Sequence, residues 1–309
     1  MKESSKNAAP RPGISGSDFE REAEYFAPDN IDRALEIKGE YGKEAVVIAG
    51  GTDILVEHFE RLHRVDCWLD LNQISYLNRI ACDDDLIKAG SMVTHQELVE
   101  SPIIADQAPL LSQSALEVGS RQIRSRGTLG GNIVTASPAG DTLAPLLAHK
   151  ASFVVMSEEG RREIPAGEFF LGPKESALEE DEILVDILIP RSAEDERFYW
   201  EKVGKRQAMI ISSVTIALAL NVEEDGTVTD ARPCYGAVAP RPIMLKKLAQ
   251  YLQDKRLPEI DRGKAGEIAA EAVDPIDDIR GTEEFRRKVS GDLTIRALKT
   301  LSSGKGDDR

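Results

Sequence analysis

Two glycine-rich stretches contain the residues of this chain that are best suited to hold a phosphate group. The longer one covers residues 127–141 and reads GTLGGNIVTASPAGD, with four glycines. The shorter one covers residues 46–53 and reads VVIAGGTD. Paired glycines let a backbone turn with positive φ approach a ligand closely, and successive amide groups in such a turn form a concave site for phosphate oxygens. Together the two stretches predict one pyrophosphate site, whereas either glycine pair alone is more often only a tight turn.

Polar side chains around the glycines add further donors and acceptors. Hydroxyl and amide contacts are available from Thr52, Asp53, Thr128, Asn132 and Ser137. The carboxylate of Asp141 is suited to accept hydrogen bonds from the hydroxyl groups of a ribose. Residues 142–149 predict a helix whose N-terminus adds a partial positive charge near the phosphates. Neither the GxGxxG fingerprint nor the phosphate-loop pattern GxxxxGK[ST] occurs, so the nucleotide prediction rests on these two stretches.

The composition excludes several classes of partner. The formal net charge of −15 argues against nucleic acid or an anionic membrane surface as the main partner, because both require basic protein surface. No stretch is apolar over the length of a membrane span, and the N-terminus lacks the apolar core of a signal peptide. The three scattered cysteines favour a reducing, cytoplasmic location, and they are too few for a four-thiolate iron–sulfur cluster. The four histidines form no HExxH pattern, so no metal site is predicted.

No catalytic group of the chain's own is evident in the sequence. A GxSxG nucleophile motif is absent, and His95 is more typical of a helix-start histidine than of a general base. Such a chain suits a flavoprotein, in which the bound cofactor carries the electrons and the protein supplies orientation and electrostatics. Lys202 is a cation in a predicted strand, and a positive charge there would favour the reduced form of a flavin. The alternative is an ordinary exposed lysine.

The hydrophobic periodicity predicts helices and strands in both parts of the chain. In the first part, strands are predicted at 45–49, 65–71, 86–89, 151–156 and 183–189, and helices at 31–41, 96–100, 110–118 and 142–149. In the last third, strands are predicted at 198–203, 210–222 and 228–238, and helices at 244–252, 261–272 and 282–301. The strand at 45–49 is expected to be buried, and Pro233 is expected to mark a sheet edge or a bulge. Strands followed by helices indicate a small α+β domain at the C-terminal end.

Two of the motifs resemble those of a known family. AGGTD (49–53) and TLGGNIVTASPAGD (128–141) are similar to the two FAD motifs of the FAD-binding, or medium, subunit of the molybdenum hydroxylases, of the xanthine dehydrogenase and aerobic carbon monoxide dehydrogenase type. Further stretches that resemble this family are 119–124, 182–184, 235–242 and 280–287. The resemblance extends over residues 19–301, nearly the whole chain.

The resemblance implies a fold, a domain division and a set of FAD contacts. The implied fold class is α+β, with a two-lobed FAD-binding domain of the vanillyl-alcohol-oxidase/PCMH type and a smaller C-terminal domain that has an antiparallel sheet with helices on one face. The expected units are a disordered leader at 1–18, the two lobes at 19–80 and 81–190, the C-terminal domain at 191–302 and a tail at 303–309. The implied FAD-binding residues are Val47, Ile48, Ala49, Gly50, Gly51, Thr52, Asp53, Ile54, Thr128, Leu129, Gly130, Gly131, Asn132, Val134, Asp141, Leu184 and Lys202.

The resemblance also implies partner chains. These are a large subunit that binds molybdopterin and a small subunit with two [2Fe–2S] clusters, from which electrons would pass to the FAD and then to NAD, oxygen or another acceptor. Two alternatives remain open at the level of sequence. One is a stand-alone flavin-dependent oxidoreductase of the same fold, and the other is a scaffold protein whose glycine turns are only turns.

Overall fold

The computed structural model describes residues 23–60, 65–83, 85–204 and 211–303. The predicted leader at 1–18 and most of the predicted tail lie outside the described residues. The strands are β1 Glu24–Phe26, β2 Ala45–Ile48, β3 Cys67–Asp70, β4 Ile80–Cys82, β5 Leu86–Gly90, β6 Ser152–Ser157, β7 Gly160–Pro165, β8 Phe170–Gly172, β9 Glu175–Ser176, β10 Ile183–Pro190, β11 Glu196–Val203, β12 Val214–Val222, β13 Val228–Gly236 and β14 Ile243–Met244. The α-helices are α1 Ile31–Tyr41, α2 Ile54–Phe59, α3 His95–Glu100, α4 Pro102–Gln107, α5 Pro109–Leu116, α6 Arg121–Arg124, α7 Leu129–Thr135, α8 Leu143–Ala148, α9 Ala166–Phe169, α10 Lys246–Leu252, α11 Arg262–Ala272 and α12 Glu283–Ser302.

A three-stranded parallel sheet forms the first part of the fold, in the order β1-β3-β2. Helix α1 connects β1 with β2, and it begins where the Asn30 side chain accepts a hydrogen bond from the amide of Arg33. Its apolar face, which includes Leu35 and Ile37, packs on Leu69 of β3. This arrangement places the glycine turn that follows β2 at the carboxyl end of a parallel strand, where ligands commonly bind in α/β folds.

A five-stranded antiparallel sheet, in the order β4-β5-β10-β6-β7, forms the second part. Its central strand β10 is buried along almost its entire length, which explains why residues 183–189 are apolar except for Asp186, itself buried. One face of the sheet shares a core with α1 and β3, and the other shares a core with helices between residues 95 and 169. The sheet therefore contributes to both cores that support the glycine motifs.

The C-terminal part is a four-stranded antiparallel sheet in the order β11-β12-β13-β14. Alternate residues of β12 point to opposite faces, as the pleat requires. Ile216 and Leu218 join the core formed with α10, α11 and α12, whereas Ala217 and Ala219 pack on α5 and α8 of the preceding part. The sheet's own helices thus cover one face, and its second face joins it to the part that carries the glycine motifs.

Three local predictions differ from the structure. Strand β2 is an edge strand whose residues are mostly half-buried, and not the buried strand that its β-branched run suggested. The pair Gly130–Gly131 lies within helix α7 and not in a turn. Pro233 lies in β13, which has a neighbour on each side. The Pro233 carbonyl accepts a hydrogen bond from the Leu245 amide, on the side of the short strand β14. The N–H and C=O of one residue in an antiparallel strand point to the same side, so the N–H that proline lacks would not have bonded to β12.

Within the described ranges, none of the helices is both long enough and apolar enough to span a membrane.

Candidate functional site

The first glycine turn packs directly against the chain that leads into the second glycine motif. A Cβ atom added to Gly50 would lie 2.0 Å from the carbonyl oxygen of Arg126 and 2.9 Å from the Cα atom of Gly127. Only glycine permits this approach of two backbones. Gly51 has a φ of 71°, which a residue with a side chain adopts only with strain. The two motifs, about 80 residues apart in sequence, are therefore adjacent in the fold.

The first glycine turn is also held from strand β3. The side-chain amide of Asn72 donates to the carbonyl oxygen of Ala49 at 3.0 Å and to Asp70 Oδ1 at 2.6 Å. The Tyr25 hydroxyl donates to the other carboxylate oxygen of Asp70 at 2.6 Å. Burial alone would raise the pKa of Asp70, but the hydrogen bonds from Tyr25 and Asn72 outweigh it and lower that pKa. The carboxylate is thus kept ionised as the anchor of the turn.

Amide groups of the first turn are available to a ligand. In the part of the chain that the structure describes, the amides of Gly50, Gly51 and Thr52 donate to no backbone carbonyl. Helix α2 starts next, and its N-cap residue Asp53 makes no side-chain capping bond within the described ranges. Asp53 instead accepts a hydrogen bond from Thr135 Oγ1 at 3.4 Å, which joins the turn to the end of α7.

The second motif uses its first amides within the protein. Helix α7 begins at the N-cap Thr128, whose hydroxyl accepts from the amide of Gly131 at 3.0 Å. The amide of Leu129 donates to the Val93 carbonyl at 2.8 Å, and that of Gly130 to the Ser91 carbonyl at 2.9 Å. The amides at the start of α7 therefore have partners within the protein, unlike those of the first turn, a difference that the sequence did not show.

The two glycines of α7 have different structural roles. A Cβ atom at Gly130 would lie 2.5 Å from the Ser91 carbonyl oxygen, so this glycine is required by packing inside the chain. A Cβ atom at Gly131 would meet, among the described residues within 4 Å, only the Thr128 hydroxyl at 2.9 Å. Gly131 is half-buried and lies on a face of α7 that is open to an approaching group. Gly131, unlike Gly130, therefore leaves an uncovered surface on the second motif.

The remaining apolar site residues divide into two groups. Leu129 and Leu184 are buried in the same core as Ile133, on the side of α7 that faces the antiparallel sheet. Val134 is 37% exposed on the other side of α7. Val47, Ile48 and Ile54 are half-buried beside the first turn.

Asp141 and Lys202 form a buried ion pair beyond the end of α7. Lys202 Nζ lies 2.6 Å from Asp141 Oδ2, and it also donates to the Glu117 carbonyl at 3.1 Å. The Ser212 hydroxyl donates to Asp141 Oδ1 at 2.6 Å. Burial raises the pKa of Asp141, while the Lys202 charge and these hydrogen bonds act in the opposite direction. Lys202 is thus not the exposed lysine of the alternative interpretation.

The ion pair is connected to the glycine motif through α7. Thr142, next to Asp141, donates its hydroxyl hydrogen to Asn132 Oδ1 at 2.7 Å. Asn132 therefore orients the loop that carries Asp141 as well as lying beside Gly131. The structure brings together the first turn, α7 and the ion pair in one continuous hydrogen-bonded assembly.

Sequence reasoning missed three residues of this assembly. Asn72 supports the first turn, and Ser212 supports Asp141, but neither stands in a recognisable motif. His95 donates its backbone amide to the Gly127 carbonyl at 3.0 Å, and its ring is buried next to the glycine. Burial, reinforced by the Arg124 charge, lowers the pKa of His95 to about 4, so the ring is neutral near pH 7.

Comparisons with known proteins agree with this architecture. The family model described as the FAD binding domain in molybdopterin dehydrogenase matches residues 18–192, and the model described as the CO dehydrogenase flavoprotein C-terminal domain matches residues 200–301. The chain therefore belongs to the family of FAD-binding subunits of molybdenum hydroxylases. It is a flavoprotein subunit of an oxidoreductase, and FAD is its cofactor.

Individual relatives are similar over nearly their whole length. The carbon monoxide dehydrogenase medium chain of Hydrogenophaga pseudoflava is 30% identical, over 89% of this chain and 95% of the relative. The caffeine dehydrogenase subunit beta of Pseudomonas sp. (strain CBB1) is 31% identical, over 89% and 93%. A solved structure of the Hydrogenophaga pseudoflava carbon monoxide dehydrogenase, described as lacking the Mo-pyranopterin moiety of the molybdenum cofactor, superposes with a TM-score of 0.87 at 30% identity, over 92% of this chain and 98% of that chain.

Proposed function

We propose that this chain is the electron-transfer subunit that carries FAD in a multi-subunit molybdenum hydroxylase. Its partners would be a large subunit that binds molybdopterin and a small subunit with two [2Fe–2S] clusters. Electrons from the clusters would reach the FAD and pass to an acceptor such as NAD or oxygen. The relatives named as a medium chain and a subunit beta support this role, because each is one chain of a larger enzyme.

The observation that carries the proposal is the contact between Gly50 and the backbone of Arg126 and Gly127. It joins the two glycine motifs into one cradle, with uncommitted amides on the first motif and the bare surface of Gly131 on the second. These features fit the diphosphate of FAD, which needs several donors and close backbone approach. The amides of the first turn would bind the diphosphate oxygens.

We assign the FAD contacts to residues 47–54 and 128–132, together with Val134, Asp141, Leu184 and Lys202. When bound, FAD supplies the redox chemistry, since it exchanges electrons with both one-electron and two-electron partners. The chain binds and orients it, and the buried Lys202 ammonium group supplies positive charge near it. None of the chain's residues is assigned a role as a catalytic acid, base or nucleophile.

The domain division and location follow from the same proposal. We divide the chain into lobes at 19–80 and 81–190 and a C-terminal domain at 191–302; the matched family regions end at 192 and restart at 200, which is compatible with this division. We place the protein in the cytoplasm, where the unpaired thiols of Cys67, Cys82 and Cys234 would remain reduced.

The test is purification of the tagged chain from its own cells, followed by flavin, molybdenum and iron analysis of the material. The proposal expects a yellow protein that releases one FAD on denaturation and co-purifies with a molybdenum-containing chain and an iron–sulfur chain. FAD without partner chains would favour a stand-alone flavin oxidoreductase. A colourless chain that takes up no added FAD would refute the proposed cofactor site.

The relatives belong to enzymes that are named for different molecules. Medium or FAD-binding subunits of this family occur in proteins named for carbon monoxide, caffeine and nicotinate. The substrate would therefore be determined by the molybdopterin-binding partner and not by this chain.

A further inference from the structure

Two consecutive buried serines connect the C-terminal domain to the Asp141–Lys202 ion pair. Ser212 and Ser213 precede β12 and are 0% and 1% exposed. Buried hydroxyls need hydrogen-bond partners, and these two have different ones. The Ser212 hydroxyl donates to Asp141 Oδ1 at 2.6 Å, whereas the Ser213 hydroxyl donates to the Arg280 carbonyl at 2.9 Å.

The backbone of Ser213 is fixed on both sides. Its amide donates to the Val203 carbonyl at 2.8 Å, one residue after Lys202. Its carbonyl accepts from Arg286 Nη1 at 3.3 Å. The Ser212–Ser213 segment therefore cannot move independently of the strand that carries Lys202.

Arg286 is the buried anchor of this segment. Its side chain is 2% exposed and pairs with Asp278, and it also donates to the Ala237 carbonyl at the end of β13. These contacts join helix α12, the loop before it, β13 and the start of β12. The stretch 280–287 resembled the known family in sequence, and this network gives that stretch a physical role.

Both oxygens of the Asp141 carboxylate are occupied, each by a different group. Lys202 Nζ binds Oδ2 and Ser212 Oγ binds Oδ1, both at 2.6 Å. Two contacts on the two oxygens fix the orientation of the carboxylate plane. The Lys202 ammonium group lies between Asp141 and the Glu117 carbonyl, and its distance to that carbonyl is 3.1 Å. Since the carbonyl belongs to the backbone, the orientation of the Asp141 side chain determines where the ammonium group lies.

We propose that Ser212 is a positioning residue that acts through Asp141 to hold the Lys202 ammonium group beside the bound flavin, and that Arg286 holds Ser212 in place through the backbone of Ser213. This inference rests on the proposed function, because it concerns FAD bound at the assigned site. Ser212 itself is not assigned a contact with the cofactor.

The consequence is electrostatic. A positive charge beside a flavin stabilises its reduced form and raises its reduction potential, and the effect is large in a site withdrawn from water. The Ser212 hydroxyl draws part of the Asp141 negative charge away from Lys202. Without that donor, the carboxylate neutralises more of the Lys202 field, so the potential of the bound flavin falls.

The experiment uses the full chain, depleted of flavin and titrated with FAD. Dissociation constants come from the quenching of FAD fluorescence, and midpoint potentials come from spectrophotometric redox titration. Ser212→Ala is expected to lower the midpoint potential of the bound FAD, which is equivalent to weakening the binding of reduced FAD relative to oxidised FAD, by up to about tenfold. Ser213→Ala is the matched control, because it also removes one buried hydroxyl but leaves Asp141 and the backbone anchors intact; the wild-type potential is expected.

A second variant covers the case in which Ser212→Ala does not fold. Ser212→Cys keeps a side chain of similar shape with a weaker donor, and a smaller shift in the same direction is expected. A wild-type potential in the folded Ser212 variants, or an equal shift in Ser213→Ala, would overturn the inference. Failure of the wild-type chain to bind FAD would refute the proposed function instead, so the two failures are distinguishable.

Discussion

Lys202 Nζ and Asp141 Oδ2 lie 2.6 Å apart, and their side chains are only 6% and 11% exposed. Removing one member of a buried pair leaves the other charge uncompensated. We therefore expect Asp141→Asn and Lys202→Met each to lower the free energy of unfolding of the FAD-free chain by about 3–5 kcal/mol. The double variant should lose less than the sum, because neither charge is then left unpaired. Urea unfolding of the four proteins measures this coupling.

The control for these single and double variants is an exposed ion pair. Lys150 Nζ and Asp230 Oδ2 form a contact of similar length, 2.8 Å, but both side chains are open to solvent. Solvent screening limits such pairs, so Lys150→Met should cost at most about 1 kcal/mol. Strictly additive losses for the Asp141 and Lys202 variants would show that the two charges do not stabilise each other.

Gly131→Val tests the cofactor cradle at a smaller cost to the fold than the other glycine variants. The new side chain would meet the Thr128 hydroxyl and otherwise project from the open face of α7, where a diphosphate would approach. We expect loss of FAD binding, measured by fluorescence titration, in a chain that still folds, with a free energy of unfolding lowered by about 1–2 kcal/mol because the Thr128 cap must shift. Stoichiometric FAD in this variant would remove Gly131 from the site.

Gly130→Val is the matched comparison on the same helix. Its Cβ atom would lie 2.5 Å from the Ser91 carbonyl oxygen, so the variant should fail to fold whether or not FAD is present. Gly50→Val would clash in the same way with Arg126. Neither of these two variants can therefore distinguish a lost cofactor from a lost fold, whereas Gly131→Val can.

Features of the fold that depend on local sequence were predicted from it. The helices predicted at 31–41 and 96–100 correspond to α1, which Asn30 caps, and to α3, which begins with a capping box of Thr94 and Glu97. Such caps can be recognised in a sequence because the donor and the acceptor are only three residues apart. The run at 183–189, apolar except for Asp186, similarly predicted the strand that forms β10.

Features that depend on distant contacts were not predicted from local pattern. Gly130 and Gly131 suggested a turn, but the Thr128 cap and the close approach to Ser91 make them the first turn of a helix. The partnership of Asp141 with Ser212 joins residues 71 positions apart, and no motif records it. The glycine motifs and the resemblance they carry pointed to the cofactor, whereas the groups that support those motifs required the tertiary structure.

Arg286 is expected to contribute strongly to stability. It is buried and ion-paired with Asp278, and it donates to the Ala237 and Ser213 carbonyls. Arg286→Met would leave the two carbonyls without this donor, while Asp278 keeps its pairing with Arg280, so the expected cost is about 1–3 kcal/mol in the free energy of unfolding for each carbonyl left unsatisfied. Arg296→Met is the control on the same helix, because its side chain is 58% exposed. A loss for Arg286→Met no greater than for the control would mean that the network is not a structural anchor.

Because His149 is buried, we expect the folded chain to lose stability in acid. Burial, reinforced by the Arg232 charge, lowers its pKa from 6.5 to about 3, so the ring stays neutral in the folded chain while the unfolded chain takes up a proton. The stabilisation is complete above pH 6.5 and is lost as the pH falls toward 3, by up to about 1.4 kcal/mol per pH unit. His149→Leu should therefore unfold with a shallower pH dependence than the wild type in urea titrations between pH 7 and 4. Phe169→Leu, which alters a buried ring packed 4.9 Å from Phe153, is the control and should lower the stability equally at every pH. An equal slope for His149→Leu and the wild type would assign the acid loss to other groups.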